Sequence, residues 1–396
     1  MDLKIFFSSI PEESFRDNRS ASNLLKYVKV NFGQMPDYRE ADIALIGIGL
    51  PYESEEGGLS SDNEYNEKPA AEASMAIRKQ LYALKKGVGP YKVVDLGNIR
   101  PGMDEEDTTM RLKEVCAALL SENTMPVILG GSHAYTYGQY AAYEDIEKLV
   151  SVLCVDSILD MEEDGQAPLS RKHVQKLLLH EPNYLFNFTL LAYQAYLTDP
   201  AALTVLEKLY FECFRIGYLR QHLQEMEPVV RNADMLSFDA AAIRIGDAPG
   251  CADAQPFGMT GEEACQVAWY AGTNDKLSSA GFYGYEAELD DDRSSTAKLI
   301  AVMVWYFIEG YYHRKDSEDF RSNDYLKYVV SMPSEPETLT FFKSKKSDKW
   351  WMEVPHPDQA GRFARNRMVP CSYTDYEKAS KGEVPDRWLN TYAKLV

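Results

Sequence analysis

The feature that most constrains the fold of this 396-residue chain is a repeated alternation of short apolar runs with segments of helical character. The run DIALIGIGL (42–50) is almost continuously apolar, as expected of a strand buried on both faces of a sheet. The segment DTTMRLKEVCAALLSE (107–122) instead carries apolar residues at helical spacing. Because strands alternate with helices, we predict a mainly parallel sheet covered by helices on both faces, which is a three-layer α/β fold.

Other parts of the chain continue this alternation. Further strands are predicted at 91–99, 125–131, 151–156, 211–217, 233–239 and 279–288. Further helices are predicted at 68–86, 260–272 and 296–310. Three of the strands run into polar residues, at His133 in the motif GGSH, at Asp156 and at Asp239. Ligands of an open parallel sheet bind outside the carboxyl ends of its strands, so these side chains are expected to meet at one edge.

The charge of the chain is negative and unevenly distributed. The formal net charge is −19, which argues against nucleic acid as a partner because such binding needs a basic surface. Residues 311–396 carry 15 Lys and Arg against 13 Asp and Glu, so the negative charge lies on residues 1–310. This change of composition predicts two parts, an α/β domain over 1–310 and a C-terminal extension over 311–396.

Signals for membranes and secretion are weak in this sequence. No apolar run approaches the length that crosses a bilayer, so no membrane association is expected. The segment MDLKIFFSSIPEES lacks a basic region ahead of an apolar stretch, so no secretory signal is expected. The six cysteines are scattered without a CxxC pair, which is typical of free thiols in a reducing compartment. We therefore predict a cytoplasmic location.

The C-terminal extension contains one clear structural signal. The segment LTFFKSKKSDKWWMEV (339–354) predicts a β-hairpin with a basic turn, and its paired aromatic residues place rings on both faces. One face is expected to pack on the core. The other face needs cover, either from a loop of the same chain or from a protein partner or second copy, and both alternatives stay open.

Several of these segments, in this order, resemble the ureohydrolase family of arginases, agmatinases and formimidoylglutamases over roughly residues 40–310. The similar segments are LGGSHAYTYG (129–138) to the family's GGDHS, VDSILD (155–160) to DAHxD, LSFDAAAIRIGDAPG (236–250) to SFDxD and GYEAELDDDRSSTAKL (284–299) to ExNP. The segments YLFNFTLLAYQAYL (184–197) and FGMTGEEACQVAWYAG (257–272) resemble the formimidoylglutamase branch most. The resemblance implies hydrolysis of a linear amidine C–N bond with two manganese ions that activate water.

The resemblance also implies which residues act, position by position. One complete metal position is implied, with four ligands: His133, Asp156, Asp160 and Asp239. Glu286 matches the carboxylate that grips the amidine nitrogens. Ile158 stands in place of the histidine of DAHxD, and Ala241 in place of the second aspartate of SFDxD. Neither side chain can bind a cation, so the second metal position is lost.

Because the second metal position is lost, two hypotheses about the activity stay open. The chain is either a weak hydrolase of a small amidine or guanidino compound with one divalent ion, such as manganese, or a non-catalytic binding or scaffold protein, a pseudoenzyme, without an ion. In the second case the three aspartates would repel one another and need a cation. Arg244, close after Asp239, is a candidate for that charge.

Two further histidines follow the second motif, where the family can place a proton shuttle. His173 and His180 stand in no recognisable pattern of their own. We expect His180, within LLLHEPNYLFNF, to be a packed structural histidine.

Overall fold

The computed structural model describes residues 2–18, 20–49, 68–162, 164–317, 319–356, 361 and 363–395. The strands in these residues are β1 (Phe7–Ser8), β2 (Val28–Val30), β3 (Ile43–Gly47), β4 (Val93–Ile99), β5 (Met125–Leu129), β6 (Val150–Val155), β7 (Leu185–Tyr193), β8 (Glu212–Arg215), β9 (Met235–Asp239), β10 (Ser279–Tyr283), β11 (Tyr325–Ser331), β12 (Thr338–Ser344), β13 (Trp350–Glu353) and β14 (Met368–Cys371). The α-helices are α1 (Lys68–Ala83), α2 (Glu105–Ser121), α3 (Thr136–Asp145), α4 (His173–Leu178), α5 (Pro200–Lys208), α6 (Ile216–Gln221), α7 (Met226–Arg231), α8 (Gly261–Gly272), α9 (Ser295–Tyr311), α10 (Tyr373–Ser380) and α11 (Asp386–Leu395).

The central sheet has the strand order β1-β4-β3-β5-β10-β9-β6-β7-β8, and β2 also pairs with β4. Only the short β1 is antiparallel to its neighbour among the described strands of this sheet, and the other pairs are parallel. The predicted α/β fold with a mainly parallel sheet is therefore confirmed.

Alternate residues of the central strands are buried in separate cores on the two faces of the sheet. In β3, Ile43 and Leu45 pack in the core that α1, α8 and α9 cover, whereas Ala44 and Ile46 pack in the core that α2 covers. Farther along the sheet, Tyr140 of α3 packs on the second face. Burial on both faces explains why these strands are continuously apolar in the sequence.

Strands β1, β2 and β7 of this sheet were not predicted, and β7 is the longest of the three. Strand β7 lies between β6 and β8, and it includes the buried polar residues Asn187 and Thr189, whose side chains are hydrogen-bonded at 3.2 Å. These polar positions interrupt the apolar pattern that identified the other strands. The strand predicted at 279–288 ends at Tyr283. Leu50, the last residue of the strand predicted at 42–50, lies outside the described residues.

The C-terminal strands form a separate antiparallel sheet in the order β11-β12-β13-β14. Strands β12 and β13 form a hairpin whose two faces are covered differently. Phe341 and Trp350 belong to a core that includes residues of α10 and α11. On the opposite face, Trp351 packs with Phe320 and lies under the guanidinium of Arg231. The same chain therefore covers aromatic residues on both faces.

No helix in the described ranges is both long and apolar enough to cross a bilayer.

The carboxylate of Asp234, just before β9, links the central sheet to the C-terminal part. It is 1% exposed, accepts a hydrogen bond from the backbone N–H of Ser151, and lies 3.1 Å from both Lys276 Nζ and Arg365 Nη1. Burial alone would raise its pKa. The nearby charges of Lys276, Lys148 and Arg365 outweigh burial and hold the pKa of Asp234 below its ordinary value.

We expect Asp234→Asn to lower the free energy of unfolding by about 1–3 kcal/mol, because the partly exposed cations of Lys276, Lys148 and Arg365 lose the buried carboxylate that they share. Since the folded pKa is depressed, this stabilisation is present above the unfolded pKa of about 3.9 and is lost as pH falls through the folded pKa. Urea unfolding between pH 7 and pH 3 measures the difference. Asp324→Asn, which breaks the exposed pair with Lys346, is the control and should cost less than about 1 kcal/mol.

Candidate metal centre

The turn after β5 places His133 at the edge of the sheet. Gly130 and Gly131 both have φ of +83°, a conformation that favours glycine. The chain then enters a short 3₁₀ turn, His133–Tyr135, in which the side chain of Ser132 accepts a hydrogen bond from the N–H of Ala134. The two glycines of the GGSH motif therefore reverse the chain so that His133 points back over the strand ends.

The aspartates come from two neighbouring strands, β6 and β9. Asp156 directly follows β6, and Asp239 is the last residue of β9. In each case the backbone N–H two residues later donates to Oδ1, from Ile158 to Asp156 at 3.2 Å and from Ala241 to Asp239 at 2.7 Å. These local bonds fix both carboxylates and leave each Oδ2 directed toward His133.

Three carboxylate oxygens surround one nitrogen of His133. Its Nδ1 lies 2.9 Å from Oδ2 of Asp156, 3.1 Å from Oδ2 of Asp239 and 3.4 Å from Oδ2 of Asp160. Despite these distances, Nδ1 has no hydrogen bond of acceptable geometry among the described residues. Adjacent ligand atoms of an octahedral ion with metal–ligand distances of about 2.1 Å lie about 3 Å apart. The candidate ligand atoms of His133, Asp156 and Asp160 all lie within 4.8 Å of one another, so these three can surround one divalent ion, and Asp239 lies beside the same nitrogen.

The cluster is almost fully buried, and its charges are strongly coupled. His133, Asp156, Asp160 and Asp239 are 3%, 3%, 4% and 7% exposed. Burial disfavours an imidazolium, but the charge of Asp239 and its neighbours raises the pKa of His133 well above its ordinary value. Burial and the charge of Asp156 raise the pKa of Asp160, and burial raises the pKa of Asp239 to about 6.

The other ring nitrogen of His133 contacts a hydroxyl group of strand β9. Its Nε2 lies 2.9 Å from the hydroxyl of Ser237, which is 2.6 Å from the hydroxyl of Thr136. Such a partner fixes the orientation of a metal-binding imidazole. Cys154 Sγ is also 3.9 Å from Nε2, and burial raises the pKa of this thiol to about 11. With His133 and His173 it forms a second group whose atoms are close enough together to hold an ion.

His173 joins this cluster, although it stands in no recognisable motif. Its ring centroid is 4.2 Å from that of His133, and its Nδ1 lies 3.4 Å from Asp160 Oδ2. Nδ1 is 2.8 Å from the carbonyl oxygen of Ser170, an acceptor, so Nδ1 carries the proton and Nε2 the lone pair. Burial and the charge of His133 lower the pKa of His173 to about 3. Its buried Nε2 has no hydrogen-bond partner in the ranges described.

Arg171 is the arginine that approaches the cluster. The prediction that Arg244 supplies a positive charge to the aspartates is wrong. Arg171 Nη1 lies 3.7 Å from Asp160 Oδ1, and its Nη2 lies 2.7 Å from Asp253. Arg244 instead pairs with Asp247 at 3.0 Å, with 46% of its side chain exposed. This local, solvated pair avoids the cost of burying a guanidinium at the strand ends.

His180 packs away from the cluster against two aromatic rings. Its Nδ1 lies 3.0 Å from the hydroxyl of Tyr137, and its ring contacts Tyr140 edge to face. This agrees with the structural role expected from its sequence context.

The remaining predicted residues lie around the cluster without donating ligand atoms to it. Ala241 is buried in a small apolar cluster with Cys251, and Ile158 is half-buried. Glu286 follows β10, where its backbone N–H donates to Gly250 and its Oε1 accepts from Ala252 at 3.3 Å. It is partly exposed at the same edge of the sheet, outside the group of contacts around His133.

A histidine and three aspartates at the carboxyl edge of a parallel sheet form the kind of oxygen and imidazole set that binds divalent metals. Residues 42–309 match the family model described as the Arginase family, and the chain belongs to that family. The resemblance inferred from the sequence motifs is therefore confirmed.

Known relatives of this chain include formimidoylglutamases. The formimidoylglutamase of Geobacillus sp. (strain WCH70) is 22% identical over 321 residues, which cover 78% of this chain and 93% of the relative. The structure of Trypanosoma cruzi formiminoglutamase with Mn²⁺₂ is similar with a TM-score of 0.60 and 17% identity, covering 74% of this chain and 99% of the other. The formimidoylglutamase of Bacillus subtilis gives a TM-score of 0.63 at 18% identity, with coverage of 78% and 96%. These structures show the shared fold.

Gly284 is a sensitive position beside the candidate ligands. It has φ of +74°, and a Cβ there would lie 2.2 Å from Asp239 Oδ1. We expect Gly284→Ala to displace this carboxylate, to weaken manganese binding by about 10-fold or more, and to cost about 1–3 kcal/mol in stability. Isothermal titration and urea unfolding measure the two effects.

Gly217→Ala is the matched control, because Gly217 has an ordinary φ and open space around its Cβ position. It should leave manganese binding unchanged. Equal manganese affinity in the Gly284 variant and this control would contradict the placement of Asp239 at a metal.

Proposed function

We propose that this protein holds one divalent ion, preferably manganese, between His133, Asp156, Asp160 and Asp239, and that it binds a linear amidine or guanidino compound and hydrolyses it weakly or not at all. The observation that carries the proposal is the spacing of 2.9–3.4 Å between His133 Nδ1 and three carboxylate oxygens. The lack of a well-aligned hydrogen bond at Nδ1 among the described residues supports it, because a buried polar atom normally makes one.

The donor set suits manganese, which takes mixed oxygen and imidazole ligands. A bound divalent ion supplies Lewis acidity and lowers the pKa of a nearby water. Asp156 and Asp239 each contribute Oδ2 while backbone N–H groups hold Oδ1 in place. Ser237 orients the His133 ring through Nε2, so that Nδ1 faces the three carboxylates and would be available to a metal.

The chain's own residues supply hydrogen-bonding groups for the substrate. Glu286, partly exposed at the same edge, can accept hydrogen bonds from the amidine nitrogens. His173 offers a neutral imidazole whose Nε2 can accept a hydrogen bond, since its Nδ1 donates to Ser170. The chain's similarity to formimidoylglutamases supports a small amidine as the substrate class.

Weak activity is proposed because the second metal position lacks its own ligands. Ile158 and Ala241 offer no donor atom in their side chains, and the Oδ1 atoms that a second ion would need already accept backbone hydrogen bonds. Each lost electrostatic element costs about 3–4 kcal/mol in the transition state, or about a hundredfold to a thousandfold in rate.

A second candidate function is a non-catalytic protein that keeps the fold for binding. Two observations favour it: the near-complete burial of the cluster and the approach of Arg171 to Asp160. A cytoplasmic location also stays a prediction, as does assembly into oligomers through the C-terminal extension.

Hydrolysis assays distinguish the two candidates. Release of urea from arginine and agmatine, and of formamide from formiminoglutamate, should be measured with manganese and with chelator. Slow turnover that needs manganese supports the hydrolase, and manganese binding without turnover supports the non-catalytic protein. Rapid turnover without added metal after chelation would contradict both.

A further inference from the structure

A cavity of about 350 Å³ lies between the central sheet and the C-terminal sheet, away from the candidate metal centre. Arg231 of α7, residues 274–276 before β10, and Trp351 of β13 form part of its wall. It therefore lies toward the amino ends of β9 and β10, whereas the metal-ligand candidates lie at carboxyl ends. A strand of five residues spans about 15 Å, so the two places are distinct.

Arg231 is held rigidly in the wall of this cavity and has unused donors. Its side chain is 3% exposed, and Nε and Nη2 donate to the carboxylate of Glu227 at 2.8 and 3.1 Å. Nη2 also donates to the backbone carbonyls of Trp350 and Cys371. Nη1 is buried without a hydrogen-bond partner in the described part of the chain. Such an unpaired donor is costly, and an acceptor in the cavity would satisfy it.

Two carboxylates in the same wall have unused acceptors. Oδ2 of Asp275 and Oδ2 of Asp316 are buried, and neither has a hydrogen-bond partner among the described residues. Oδ1 of Asp316 is occupied, because it accepts from the hydroxyl of Ser347 at 2.9 Å. Burial raises the pKa of Asp275, which is consistent with a carboxylate that lacks a full set of partners. A donor in the cavity would satisfy these oxygens.

The rest of the wall is mixed: Lys276 and Arg365 are cations that pair with Asp234, and an apolar part includes two aromatic rings. Phe320 and Trp351 pack edge to face with ring centroids 5.4 Å apart, and Met368 also lines the cavity. The guanidinium of Arg231 lies 4.3 Å from the centroid of the Trp351 ring. The cavity thus combines an apolar surface, an unused cationic donor and unused anionic acceptors.

We propose that this cavity binds a free amino acid with an apolar body, whose carboxylate pairs with Arg231 and whose ammonium group pairs with Asp275 or Asp316. Lys276 and Arg365 also line the cavity, but both pair with the buried Asp234, and the guanidine nitrogen that lacks a hydrogen-bond partner among the described residues is Arg231 Nη1. A simple anion would leave the two aspartate oxygens unsatisfied, and a simple cation would leave Arg231 unsatisfied. A zwitterion with an apolar side chain matches all three parts of the wall. The cavity volume lies within the range of small-ligand pockets, about 300–1,000 Å³.

Binding of such a ligand should also stabilise the folded chain. A ligand that binds only the folded chain raises its melting temperature by mass action. We expect a rise of about 2 °C or more at saturating concentration.

The test uses the full chain with L-phenylalanine, L-leucine and 6-aminohexanoate as probes, in isothermal titration and thermal melting. At least one zwitterion should bind saturably. For L-phenylalanine, blocking either charge, as in N-acetyl-L-phenylalanine or L-phenylalanine amide, should weaken binding by about 10-fold or more. Equal binding of the blocked compounds, or no saturable binding of any zwitterion at millimolar concentration, would overturn the proposal.

Two variants assign the binding to this cavity. Ala364→Phe should fill the cavity and abolish binding, and Asp275→Asn, which keeps the side-chain shape, should weaken it by about 10-fold or more. Ala201→Phe, at an exposed position of α5, is the control for adding a ring and should bind like the wild type. Unchanged binding in folded Ala364→Phe and Asp275→Asn proteins would overturn the proposal.

Discussion

Asp160→Asn is expected to weaken manganese binding by about 100-fold or more and to leave the metal-free protein at least as stable as the wild type. The affinity falls because one of the four candidate ligands loses its charge. Mutation of a group that only orients a ligand already costs about 10–100-fold in metal affinity, and loss of a ligand should cost more. Stability is preserved because three buried carboxylates crowd around one histidine, and an amide of the same shape removes part of their repulsion. Isothermal titration with manganese and thermal melting in chelator measure these effects.

The opposite signs of the two effects make this test specific for a ligand site. A purely structural carboxylate would lose stability on the same exchange. Asp292→Asn, at an exposed position, is the control and should change neither quantity. Manganese affinity that is unchanged in Asp160→Asn would show that Asp160 is not a ligand.

The double exchange Ile158→His and Ala241→Asp is expected to add a second manganese ion and to raise amidine hydrolysis by about a hundredfold or more. It restores the two side chains that the family motifs carry and that this chain lacks. The backbone N–H groups of Ile158 and Ala241 donate to Asp156 and Asp239, so donors introduced at these two positions would stand beside those carboxylates. Metal analysis and the urea and formamide assays measure the result.

Each single exchange should give less than the double exchange, because one added donor leaves the second position incomplete. Ile158→Leu with Ala241→Ser is a control of similar size without new metal ligands of comparable strength. Two bound ions without any gain in turnover would indicate that substrate binding, which we assign to Glu286, limits hydrolysis. One ion in a folded double variant would contradict the assignment of the vacated position.

The sheet and the four candidate ligands could be predicted because both follow from local patterns. Continuous apolar runs such as 43–47 reflect burial on both faces, and the order of strands and helices then implies parallel pairing. Asp156 and Asp239 stand directly at strand ends, so their position at the edge follows from the topology. The losses at Ile158 and Ala241 are visible in the motifs themselves.

Other parts of the site depend on contacts that no local pattern encodes. His173 reaches the cluster because α4 packs beside the turn at His133. Arg171 reaches Asp160 because it lies in the same connection between β6 and β7. Arg244 is near Asp239 in sequence, yet its short-range pair with Asp247 directs it to solvent. Strand β7 was missed because buried Asn187 and Thr189 satisfy each other and break its apolar pattern.

The number of divalent ions per chain tests the central claim most directly. Protein purified without chelator and dialysed against manganese should contain one manganese ion per chain by plasma mass spectrometry, and titration of the chelated protein should show one site. Asp239→Asn should abolish that site. Two stoichiometric ions in the wild-type chain, or none at saturating manganese, would contradict the account of one complete metal position built by His133, Asp156, Asp160 and Asp239.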